Sequence, residues 1–106
     1  MYYFTSLTGI RYQDRNLSEV RRKSLGFLRR MKDYNVVDIK SDQQGYMGNV
    51  YKTDDGLFVW NPAKGKRLTY PDQTYLGFPQ HYVNEDGSLG EQIENPIIPF
   101  NVIRYK

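Results

Sequence analysis

Asn16-Leu17-Ser18-Glu19-Val20-Arg21-Arg22-Lys23-Ser24-Leu25-Gly26-Phe27-Leu28-Arg29-Arg30-Met31-Lys32 is the stretch on which the fold turns. Asparagine is a good helix N-cap, and Glu19 follows it at the spacing of a capping box, in which each side chain satisfies an orphan backbone donor. At about 100° per residue, Leu17, Val20, Ser24, Phe27, Leu28 and Met31 fall on one arc of the helix. The spacing therefore predicts an amphipathic helix over residues 17–32, with that arc facing a core. Asp33 to Asn35 are turn-prone and end it.

Outward from the helix the signals change to those of strands. Tyr2 to Leu7 is rich in β-formers, and Thr8-Gly9 punctuates it. Ile10 to Arg15 reads as a polar connector leading into the helix. Val36 to Lys40 predicts a second strand, and Ser41 to Gly45 a loop. The hairpin signal is strongest between Gly48–Lys52 and Leu57–Trp60, joined through Thr53-Asp54-Asp55-Gly56. Asp-Gly between two β-rich runs favours a tight turn because glycine supplies positive φ at low cost. A two-residue turn would set Tyr51 opposite Trp60; a three-residue turn with Gly56 in a bulge would set Val50 there. Such a one-residue slip exchanges the faces of the strand.

Further on, Asn61 to Lys66 reads as a turn and Arg67 to Tyr70 as a strand. Residues 71–79 are irregular and aromatic. Tyr82-Val83 and Leu89 flank the turn Glu85-Asp86-Gly87-Ser88. Pro96 and Pro99 hold Ile97-Ile98 extended and away from the middle of any sheet, and Phe100 to Tyr105 predicts a closing edge strand. The resulting order, β-α-β-β-β, gives a single α+β domain over residues 1–106, with one amphipathic helix packed on one face of an antiparallel sheet.

Composition agrees with a small folded domain. The 106 residues are 39% hydrophobic and 15% aromatic, with ten tyrosines and five phenylalanines, so rings supply much of the burial. No cysteine is present, which removes disulfides, thiol nucleophiles and thiolate metal sites. The amino terminus has no basic segment followed by a long apolar run, and no stretch reaches the ~18–20 apolar residues of a membrane span. The expectation is a cytoplasmic chain with no membrane partner.

The search for catalytic chemistry ends without a constellation. His81 is the sole histidine and is flanked by Gln80 and Tyr82, a setting for a packed ring. Aligning Asn84-Glu85-Asp86-Gly87 with a calcium loop puts Tyr82 and Ile93 where carboxylates are needed, so the match fails. Lys64-Gly65-Lys66 lacks the glycines of a phosphate loop, and no dinucleotide fingerprint or nucleophile elbow occurs. The expectation is no enzyme, no metal and no cofactor.

Charge carries the functional signal. Residues 1–40 hold nine Lys/Arg against four Asp/Glu, whereas residues 81–106 hold two against four. Arg21, Arg22, Lys23, Arg29, Arg30 and Lys32 crowd the helix with no acid among them. Lys52, Lys64, Lys66 and Arg67 interleave with Tyr46, Tyr51, Phe58, Trp60 and Tyr70 along the hairpin and the turn after it. The sharper expectation is a non-catalytic accessory domain that contacts nucleic acid through Arg21, Arg22, Lys23, Arg29, Arg30, Lys64, Lys66 and Arg67, as cations meet phosphates and exposed rings stack on bases. The blander one is a solvated face whose partners are Glu85, Asp86, Glu91 and Glu94. The alternative function is an adaptor- or inhibitor-like domain docking a larger protein through exposed tyrosines and an edge strand.

Overall fold

The computed structural model describes residues 1–62 and 79–94. Within them, strands β1 (Tyr2–Thr5) and β2 (Arg11–Asp14) form a hairpin ahead of helix α1 (Leu17–Arg30). Five strands follow: β3 (Val36–Ser41), β4 (Gly45–Lys52), β5 (Phe58–Pro62), β6 (Gln80–Val83) and β7 (Leu89–Ile93). They make one antiparallel sheet in the order β2-β1-β3-β4-β5-β6-β7. This is the expected α+β architecture of one helix on an antiparallel sheet. The expected order, with one strand before the helix and three after it, lacked β2, β6 and β7; β2 was not legible because Arg11-Tyr12-Gln13-Asp14 has only one apolar residue. As an outer strand it needs no more: Tyr12 is its apolar contribution to the core, stacking on Phe4 at 4.7 Å. The expected turn beyond residue 62, the strand at 67–70, all but the last residue of the irregular run 71–79, the extended segment 96–99 and the closing strand at 100–105 lie outside the described residues.

Asn16 caps the helix as expected, its Oδ1 accepting from Ser18 N at 2.9 Å. The capping box does not close. Asn16 N donates to Asp14 Oδ1 at 2.9 Å, while Glu19 turns to Arg22. The buried arc also differs from the expected stripe, since Val20, Arg21, Ser24, Leu25, Phe27 and Leu28 are buried and Met31 is an exposed C-cap. The arc is wider because the helix has sheet on both flanks. Phe27 meets Phe4 and Tyr12 of the first hairpin at 5.6 and 6.0 Å, edge to face. On the other flank Arg21 and Arg29 lie over Trp60 and Phe58 of β5. The helix thus lies between the first hairpin and β5.

The β4–β5 hairpin takes the three-residue turn. Val50 pairs with Trp60 and Lys52 with Phe58, which sends Val50, Phe58 and Trp60 to the helix. Thr53 N donates to Leu57 O at 2.8 Å, with Gly56 at φ +87°. The same turn recurs at Ser6–Ile10 and at Asn84–Ser88, with first-to-fifth bonds of 2.9 and 2.8 Å and Gly9 and Gly87 at φ +88° and +87°. Type I turns closed by a glycine bulge match the right-handed twist of the strands they join.

The face away from the helix carries polar groups. Tyr46 donates its hydroxyl to Asp38 Oδ1 at 2.8 Å and receives Asn49 Nδ2 at 3.2 Å. Gln80 Nε2 donates to Asn61 Oδ1 at 3.1 Å. Asn49 and Asn61 stand directly opposite each other and are both 0% exposed. Asn49 Oδ1 and Asn61 Nδ2 have no hydrogen-bond partner among the described residues. The two chemically complementary atoms form the one gap in a polar ladder that runs from β3 to β6.

Candidate functional site

The basic residues of the helix do not form one free face. Arg21 is 8% exposed and points inward, Nε donating to Gly87 O at 2.8 Å and the guanidinium lying 5.0 Å from the Trp60 ring. Burial lowers its pKa from the ordinary arginine value. This corrects the expectation that Arg21 belongs to an exposed surface. Its position between Leu17, Leu25 and Leu28 on the helical wheel puts it on the flank that the β6–β7 turn covers.

Three of the others have acidic neighbours. Arg22 pairs with Glu19 through Nη2 at 3.0 Å, and that bond with its charge raises the Arg22 pKa. Lys23 Nζ lies 3.9 Å from Asp14 and donates to Gln13 O at 3.1 Å. Arg29 reaches both oxygens of Glu85, at 2.7 and 2.5 Å, from across the fold. Arg30 is exposed and has no hydrogen bond or ion pair among the described residues. Lys64, Lys66 and Arg67 lie outside them. Of the acids expected as partners, Glu85 takes that role; Glu19 and Asp14 join it from beside the cations.

The aromatic residues of the hairpin divide by face. Phe58 and Trp60 are core, packed under the helix. Tyr46 is buried on the opposite face beside Asp38, and Tyr51 is half-buried there opposite Val59. His81 stands opposite Trp60 with Nδ1 buried and without a partner among the described residues. No three metal-ligating side chains gather among those residues, and no described helix is long and apolar enough to cross a membrane.

A cleft that the sequence did not signal opens between β1 and β3. The two strands pair only at Tyr2–Ser41 and Tyr3–Lys40, and beyond that they splay. The opening has a volume of about 240 Å³ and is lined by residues of both strands with Phe27 and Tyr34. Phe4, Phe27, Val36 and Val37 supply the apolar wall; Asp38 and Lys40 supply one charge of each sign. Phe27 and Tyr34 meet edge to face at 5.3 Å, which fixes the inner end. The volume exceeds that of an apolar cavity able to hold benzene, roughly 150 Å³, but is below the roughly 300–1,000 Å³ of pockets for drug-sized ligands. Its size is that of a single side chain.

Next to the cleft, β1 runs into the Ser6–Ile10 turn. Leu7 is 87% exposed and Ile10 56% exposed, the two most exposed large apolar residues described. Strand β2, on the outer side of this hairpin, is guarded: the Lys23 ammonium occupies the Gln13 carbonyl, as charged side chains do on edges that must not pair further.

No family model, curated protein or solved structure matches this chain. The functional reading therefore stands on the residues.

Proposed function

We propose that this is a non-catalytic docking domain that binds a protein partner at the β1–β3 cleft and the adjoining hairpin tip. One observation carries the reading: a cleft of side-chain size with an apolar wall lies beside an apolar tip that the fold leaves in solvent. Interfaces draw most of their affinity from a few apolar anchors in well-formed pockets. The cations of the helix argue for the same choice, because Arg21 is structural and Arg22, Lys23 and Arg29 are already matched by acids. The lack of cysteine suits work in a reducing compartment such as the cytoplasm.

Selection of a displayed peptide library against the dilute protein tests this. The wild type should enrich peptides sharing an apolar anchor, and Thr5→Trp, which fills the cleft from an exposed position, should lose them. Failure to enrich any peptide, or peptides that bind Thr5→Trp equally well, would overturn the reading.

A second reading keeps nucleic acid as the partner, favoured by Arg30, which is exposed and unpaired among the described residues, and by the basic residues Lys64, Lys66 and Arg67. Phosphate contacts make affinity fall as salt rises. Titration with mixed DNA and RNA should show binding at low salt that weakens at moderate salt; absence at low salt ends this reading.

A further inference from the structure

Two of the hairpin turns of one geometry set an aspartate before the glycine, as Asp55-Gly56 and Asp86-Gly87. The two glycine amides donate alike, to Thr53 O at 3.0 Å and to Asn84 O at 2.9 Å, and both glycines have φ +87°. Backbone and local sequence are therefore matched. What differs is what each turn touches.

Asp86-Gly87 is clamped. Gly87 is buried, its carbonyl accepts from Arg21 Nε at 2.8 Å, and a Cβ added to it would meet the backbone of Ser18 and Arg22. Asp86 Oδ1 accepts from the Ser88 hydroxyl and from Ser88 N, at 2.6 and 3.0 Å. These bonds hold its pKa below the ordinary aspartate value, away from the protonated carboxyl that loses water most readily. Asp55-Gly56 has no such clamp. Both residues are exposed, and nothing beyond the chain neighbours lies within 4 Å of where a Gly56 Cβ would stand. Asp55 accepts one hydrogen bond among the described residues, from the Thr53 hydroxyl.

A glycine after an aspartate presents a backbone nitrogen with no Cβ beside it to hinder attack on the carboxyl. We propose that Asp55-Gly56 is a covalent modification site, which rearranges in the folded protein through a cyclic imide to an isoaspartyl linkage, while Asp86-Gly87 is protected. This stands apart from the docking reading. In the first step Gly56 N bonds to Asp55 Cγ, a Cγ–O bond breaks, and the oxygen leaves as water with the carboxyl proton and the amide proton. In the second, water adds to one of the two imide carbonyls. Cleavage at Cγ restores aspartate; cleavage at the main-chain carbonyl leaves a backbone one carbon longer and a free α-carboxylate. Nothing is oxidised or reduced. Ring closure turns the aspartate Cα–C bond and swings the glycine, a motion that is open at Gly56 and that the helix blocks at Gly87. The altered linkage falls at the tip, outside the Lys52–Phe58 pair that ends the β4–β5 ladder.

Incubation of the full chain for weeks at neutral pH, followed by peptide mapping with electron-transfer fragmentation, tests this. Isoaspartate should accumulate at 55 roughly tenfold or more faster than at 86, because the bonds on Gly87 and Asp86 must break before that ring closes. In concentrated urea the two positions should react at similar rates, which separates the clamp from any effect of neighbouring sequence. Arg21→Ala, which removes the bond on Gly87 O, should speed position 86 and leave position 55 unchanged. Equal rates in the folded protein, or a difference that persists in urea, overturn the proposal. So does a folded chain that forms no isoaspartate at 55 while the unfolded chain does, and a position 86 indifferent to Arg21→Ala overturns the clamp.

Discussion

Arg21 reaches out of the helix to donate its Nε proton to the backbone carbonyl of Gly87, 2.8 Å away and buried. A charged donor on a buried carbonyl contributes about 1.5–3 kcal/mol, and the Trp60 ring beneath the guanidinium adds to it. Arg21→Ala should therefore lower the stability to urea by about 2–4 kcal/mol, since packing of the side-chain stem is lost along with the bond. Arg22→Ala, one residue away on the exposed side, should leave the urea midpoint unchanged within error, as exposed ion pairs contribute little.

Gly87 is the other half of that contact. A Cβ there would run into the Ser18 carbonyl oxygen and lie 2.8 Å from Ser18 C and 2.9 Å from Arg22 N. Gly56 has the same φ of +87° with open space where its Cβ would go. Gly56→Ala should show the backbone strain alone, about 1–2 kcal/mol. Gly87→Ala should add about 1–3 kcal/mol of overpacking. Equal losses in the two variants, measured by urea unfolding, would mean that the turn does not press on the helix.

The polar ladder makes a different prediction. Replacing Asn61 by leucine removes the acceptor of the 3.1 Å bond from Gln80 Nε2, and a buried amide loses that bond. The expected loss is about 1–3 kcal/mol. Pairing Asn61→Leu with Gln80→Leu should recover much of it, because both members of the bond are then apolar. A double-mutant cycle reads the difference.

Asp86 gives the pH dependence. Its carboxylate accepts from the Ser88 hydroxyl at 2.6 Å and from Ser88 N at 3.0 Å, and these bonds hold its pKa below the ordinary aspartate value. A depressed folded-state pKa means that the unfolded chain takes up the proton first as pH falls. The contribution is thus complete above the unfolded value and is lost as pH drops through the folded one. Asp86→Asn should flatten the acid limb of the stability curve in that window while leaving the neutral limb parallel to the wild type.

The elements legible in the sequence were those with a strong local rule. The helix was visible from its cap and periodicity, β3 from its β-branched run, and the central hairpin from Asp55-Gly56. That rule left two registers open, and burial of Phe58 and Trp60 under the helix decided between them. β2 was missed because one inward tyrosine leaves no alternating pattern. The inward turn of Arg21 and the reach of Arg29 to Glu85 depend on where the β6–β7 turn lands, across 66 and 56 residues of chain. No local spacing encodes that. The β1–β3 cleft is a place where two strands cease to pair, and such a parting has no residue signature at all.

Asn49 and Asn61 bear on how the chain reaches its structure as well as on what holds it. In the hairpin with the two-residue turn, Asn61 would pair with Val50 and be carried to the helix side, while Trp60 and Phe58 would leave it. An amide there would face Val20, Leu25 and Leu28 with nothing to receive its protons, at about 1–3 kcal/mol. The nascent hairpin can form either turn within microseconds. Only the one that keeps both amides on the far face survives docking of the helix. The ladder thus adds to the burial of Phe58 and Trp60 in rejecting the wrong pairing as the core closes, and an apolar pair at 49 and 61 should narrow the gap between the two registers without inverting it.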